Sequence, residues 1–110
     1  MTLVVLVTCP NARHAARLAT ALVQRRLAAC VNLMPRVDSV FWWAGKVDRA
    51  REVLLMAKTT SARFPQLERA VRSLHPYQVP EIIALPVARG HAAYLKWVAS
   101  SVATPTVRRA

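Results

Sequence analysis

Three side chains have the types to build a metal centre: Cys9, His75 and Glu81. His75 opens a stiff segment, His75-Pro76-Tyr77-Gln78-Val79-Pro80, and Glu81 follows it directly. Imidazole suits copper, zinc and nickel, and a carboxylate widens the set of ions. One His with one Glu six residues later matches no zinc spacing. The other reading of His75 is a hydrogen bond to backbone at a helix C-terminus, where its charged form is favoured. Cys9 ends an apolar run just ahead of a helix, a place that can lower a thiol pKa. As a ligand its softness favours Cu(I); otherwise it is a structural residue. Cys30 lies in an apolar strand and reads as a small buried hydrophobe. Lys58 stands in an apolar run as well. It needs an acid, with Glu81 of the same or a neighbouring subunit the natural candidate, or it faces a cleft that takes a small anion.

Enzyme motifs are missing. Gly45 and Gly90 are the only glycines, so there is no glycine-rich phosphate loop. The chain contains no G-x-S-x-G, no H-E-x-x-H and no close carboxylate pair. A Cys9/His75 dyad lacks a third, orienting group. The expectation is a protein that is not an enzyme and requires no cofactor.

The elements that position these residues follow from hydrophobic period. Residues 3–8 form a β-branched run of the kind found in a central strand covered on both faces. Asn11 is a suitable cap for a helix over 12–26, with Ala12, Ala15, Ala16, Ala19, Leu22 and Val23 as its apolar stripe. Residues 29–43 are extended, with a bulge expected at Pro35. Ala44-Gly45 turns the chain into a second arm, 46–60. Ser61 is expected to cap a helix over 62–74 that buries Phe64, Leu67, Val71 and Leu74. A strand over 81–87 and a helix over 91–102 complete an order of β-α-β-β-α-β plus helix. That is the α+β, ferredoxin-like split βαβ arrangement. One domain over 1–102 and a basic tail over 103–110 are expected.

Composition supports a folded chain. Its 110 residues are 55% hydrophobic, with only two cysteines. The run at 2–7 lacks a basic flank and a cleavage site, and no stretch could span a membrane. A cytoplasmic location with reduced thiols is expected. Sixteen basic residues oppose five acidic ones, for a net charge of +11. No basic run exceeds two residues and no RNA-reading aromatic motif is present, so no specific nucleic-acid partner and no membrane partner are expected.

The arm over 29–43 would reach roughly 50 Å if extended, against a radius of gyration near ~13 Å for a domain of this size. The hairpin must curl or project, and it carries Val40, Phe41, Trp42 and Trp43 at its tip. Burying an aromatic is worth about 1.5–3 kcal/mol, so a partner surface is implied. An obligate oligomer is expected.

The chain resembles the CutA family of divalent-cation tolerance proteins. RLAACVN (26–32), SVFWWAGKV (39–47), EVLLMAKT (52–59), HPYQVPEIIALPV (75–87) and YLKW (94–97) carry the resemblance. It implies a homotrimer built by the long hairpins, a role in divalent metal ion tolerance, and copper or another divalent ion as a weakly held ligand. It also implies kinship with trimeric P-II-type signalling proteins. The alternative function is therefore a ligand sensor that holds a small anion in an inter-subunit cleft. Cys30, Asn32, Trp43, Lys58 and Tyr77 are the residues for that cleft. The sequence departs from some relatives at three places. Val7 stands where they place a cysteine, Leu74 where they place a second histidine, and Ala44 where an acid is common.

Overall fold

The computed structural model describes residues 1–103. The chain folds as β1 (Thr2–Cys9), α1 (Ala12–Gln24), β2 (Cys30–Trp43), β3 (Lys46–Thr60), α2 (Phe64–Leu74), β4 (Ile82–Pro86) and α3 (Ala92–Ser101). The four strands form one antiparallel sheet in the order β2-β3-β1-β4. This is the expected α+β topology. Most of the tail expected over 103–110 lies outside the described residues. No described helix is long and apolar enough to cross a membrane.

Strand alternation divides the sheet into two unlike faces. Leu3, Val5, Val7 and Cys9 of β1 join Val53, Leu55 and Ala57 of β3 on one face. Helix α1 covers it with Ala15, Leu18, Ala19 and Leu22. Helix α2 adds Leu67, Ala70 and Val71. The expected stripes hold at Ala15, Ala19, Leu22, Leu67 and Val71; Leu18 and Ala70 are buried as well, whereas Ala12, Ala16, Val23 and Leu74 are exposed.

The second face is open over much of its area, a correction to the double coverage expected of β1. Val4, Leu6, Leu54 and Met56 are half-buried there. Met34, Ile83 and Leu85 are each close to half exposed. Helix α3 lies on this face at one end. Its Val98, and Val102 just past its end, are buried apart from the main core, and its Tyr94 interacts with Cys30, whose neighbour Val31 packs into the core on the other side.

Local signals explain the element ends. The Asn11 side chain accepts a bond from the His14 N–H at 2.9 Å and starts α1. Ser61 does not cap α2. Its N–H and hydroxyl both turn to the Met1 carbonyl. Arg63 occupies the cap position, and its side chain does not cap the helix. Pro65 in the first turn fixes the helical φ at no hydrogen-bond cost. The β2–β3 register shifts between Met34 and Val37, around Pro35, as its missing N–H requires.

The hairpin projects. The molecule measures 57 × 31 × 23 Å and its radius of gyration is 15.2 Å, above the ~13 Å of a compact domain this size. Ala44 and Gly45 form a two-residue turn with φ of 51° and 78°. Positive φ at both positions matches the strand twist, but alanine carries a penalty of about 1 kcal/mol there. Ala44→Asn, which tolerates this conformation, is expected to raise stability by about 0.5–1 kcal/mol in urea denaturation. An unchanged midpoint would contradict the strain.

Candidate cation-binding site

Cys9 and His75 meet where β1 ends and α2 runs out. The Cys9 sulfur lies 3.7 Å from His75 Nε2. The His75 tautomer follows from its neighbours. The Tyr77 backbone N–H donates to Nδ1 at 3.1 Å. Nδ1 must therefore be bare, and Nε2 carries the proton it gives to the Thr8 carbonyl at 2.7 Å. Both ring nitrogens are committed to backbone, and the ring is buried. Burial first, then the charge of Glu52, pushes the Cys9 thiol up to about 11. The helix start beyond it does not offset these effects, so a lowered thiol pKa is not found. As folded, this pair offers a metal neither a thiolate nor a free imidazole lone pair.

Glu81 stands apart from that pair, on the wall of an adjoining cavity of about 880 Å3. The cavity lies between the hairpin and the loop after α2. Thr8, Phe41, Trp43 and Tyr77 contribute to its walls, and its carboxylates are Asp48, Glu52 and Glu81. Three of the chain's five acids thus face one space, and no Lys or Arg lines it.

Glu52 is the centre of this arrangement, and the sequence reading passed over it. It is only 8% exposed, and the Tyr77 hydroxyl donates to its Oε2 at 2.9 Å. Burial, that hydrogen bond and the charge of Glu52 push the Tyr77 hydroxyl up to about 12. Burial, then Glu52, also raises the Glu81 carboxyl above its ordinary value. The negative charge of Glu52 beside Glu81 favours a cation in this space. Oxygen donors suit hard divalent ions, and aromatic walls add favourable contact for a positive charge. The available signal was alternation: Glu52 begins the series Glu52, Leu54, Met56, Lys58 on one strand face.

The cleft residues divide into two groups. Trp43 and Tyr77 line the cavity. Cys30 and Lys58 sit opposite each other at the α3 end of the sheet, with Asn32 two residues along. Lys58 also faces Val4, and β4 places Leu85 level with Val4. Glu81, before Ile82, falls level with Thr8 and Leu54, four residues or roughly 13 Å from Lys58. The expected Lys58–Glu81 pair is therefore not made within one chain. Burial, then Cys30, raises the Tyr94 hydroxyl above its ordinary value. Among the described residues, no three His, Cys, Asp or Glu side chains converge closely enough to share a metal.

Residues 3–101 match the family described as CutA1 divalent ion tolerance protein. The chain belongs to this family. Among CutA relatives, Protein CutA of Mus musculus is 53% identical over 92 residues, which is 84% of this chain and 52% of that protein. The chain thus spans about half the length of the mammalian relatives it matches. The divalent-cation tolerance protein CutA of Thermus thermophilus is 50% identical over 95 residues, covering 86% of this chain and 92% of that one. A solved Cut A1 structure from Thermus thermophilus superposes with a TM-score of 0.92 at 48% identity, over 94% of this chain and all of that one. The CutA1 fold thus extends through the hairpin and the cavity.

Proposed function

We propose that the chain acts in divalent metal ion tolerance as a homotrimer, binding cations rather than catalysing a reaction. The observation that carries the metal reading is the cavity, in which three carboxylates and no basic residue gather in a chain of net charge +11. Glu81 and Asp48 at its wall are the first ligands; the three carboxylates do not converge as folded, so an ion is held by one or two of them and keeps part of its water. Cys9 and His75 join only when the loop after α2 releases the Tyr77 N–H and the Thr8 carbonyl, so copper is held weakly. The open apolar sheet face and the exposed hairpin support the trimer. The cytoplasm suits the two free thiols. A carboxylate-lined cavity does not favour an anion, and the P-II-like reading gains nothing from it.

Calorimetric titration with Mn(II), Zn(II) and Cu(II), run beside light scattering, tests both parts. The wild type is expected at three times the 12.2 kDa chain mass. Its metal affinity should fall about tenfold or more in Glu81→Gln, which removes a charged ligand. Binding that Glu81→Gln leaves unchanged would overturn the site. A stable single-chain mass would overturn the trimer.

A further inference from the structure

We propose that the outer surface of α1 and α2 is a sequence-independent docking face for the phosphate backbone of double-stranded nucleic acid. The two helices lie in contact on one side of the sheet, with their apolar stripes turned inward. Every charged side chain left fully exposed on them is arginine. Arg13 and Arg17 on α1, Arg25 and Arg26 at its end, and Arg69 and Arg72 on α2 are all exposed. Arg63 joins the two groups: its guanidinium donates to the Arg26 carbonyl at 3.3 and 3.4 Å and to Gln66. That contact sets the end of α1 beside the start of α2, so the helices run antiparallel. Arg13 and Arg17 therefore share an end with Arg69 and Arg72.

Seven arginines stand here against one carboxylate, the half-buried Glu68. The chain's other acids lie on the hairpin or around the cavity. The ion pairs of Asp38 are with Arg36 and Arg51, and involve none of Arg13, Arg17, Arg25, Arg26, Arg69 and Arg72. The basic side chains are all arginine; Lys46, Lys58 and Lys96 lie elsewhere. A guanidinium presents a flat fork of donors that matches phosphate oxygens in pairs. At the end of α2, Arg69 and Arg72 also line a groove of about 460 Å3 with Ser73 and Gln78, a donor set fit to seat one phosphate.

Spacing favours a duplex. Arg13 and Arg17 are one turn apart, about 6 Å along the axis, and packed helices lie ~8–10 Å apart. Two rows of charge at that separation suit two phosphate strands across a minor groove ~6 Å wide. Nothing on the layer is built to read bases, so the binding is electrostatic. A membrane is the weaker fit. Most of the apolar side of each helix is used in the core, the exposed Val23 and Leu74 lie apart, and neither helix exposes an aromatic anchor. The proposed trimer uses the hairpin and the open sheet face, and so leaves this layer outward.

The test is fluorescence anisotropy of the full chain with a ~30-base-pair mixed-sequence duplex at about 50 and 200 mM salt. Arg17→Ala/Arg69→Ala is compared with a charge-matched pair away from this layer, Arg89→Ala/Lys96→Ala. The layer pair should weaken binding about tenfold or more at the lower salt and reduce the slope of log K against log salt by about 2. The control pair should stay within about twofold of wild type. Equal losses in both pairs would show that net charge alone binds, and would overturn the face. No binding by the wild type would overturn it too. Tighter capture by phosphatidylserine vesicles, undiminished by competing duplex, would assign the layer to membranes instead.

Discussion

Trp42→Ala/Trp43→Ala is expected to run as a 12.2 kDa particle in light scattering while its far-UV circular dichroism stays that of the wild type. Trp42 is 74% exposed and Trp43 53% exposed on the single chain. They sit at the last two register positions before the turn, opposite Val47 and Lys46. Adjacent side chains on a strand point to opposite sides, so one protomer cannot bury both at the tip of its own ribbon. Each indole removed from water contributes about 1.5–3 kcal/mol. A trimer contains six of them; scaled to the surface each leaves exposed on the single chain, their loss removes roughly 6–11 kcal/mol from assembly, against about 1.4 kcal/mol for each tenfold change in affinity. The same substitutions open no hole in the core beneath α1 and α2, because neither indole belongs to it. Assembly should fail before secondary structure does. A double variant that keeps the wild-type mass would remove the hairpin from the interface.

The chain's local rules were legible because each rests on one or two neighbouring residues. Asn11, Pro35, Ala44-Gly45 and Pro65 mark a cap, a bulge, a turn and a helix start, and the fold uses all four. Ser61 misled because the helix starts later than expected: Arg63 holds the cap position, and Ser61 is instead tied to the Met1 carbonyl brought alongside by β1–β3 pairing. The site was harder to read. Cys9 and His75 are 66 residues apart and meet only because α2 returns the chain to the end of β1. Their availability to a metal depends on the tautomer, which Thr8 and Tyr77 set through backbone atoms that carry no sequence signal. Glu52 looks like an ordinary acid entering a strand. Only the fold shows Tyr77 reaching it from 25 residues away.

That reach makes Tyr77→Phe the most informative change in the site. The substitution keeps the ring, which lies tilted against the His75 ring at 4.7 Å, and removes only the hydroxyl. Glu52 is then a nearly buried carboxylate without its donor. A hydrogen bond to a charged group contributes about 1.5–3 kcal/mol, and Tyr77→Phe should lose that much stability at pH 7. The wild type should also respond to alkali. The Tyr77 pKa is raised from 10.0 to about 12, and that of Cys9 from 9.0 to about 11, so folding favours the protonated form of each. Stability from these groups is complete below the ordinary pKa values and declines as pH rises from about 9 toward 12. Tyr77→Phe should flatten the upper part of that decline, and Cys9→Ser the lower part. Glu52→Gln should lessen both, because the Glu52 charge contributes to both shifts. If denaturation midpoints of the wild type and all three variants fall in parallel between pH 8 and pH 11, Glu52 is not the group that organises the site.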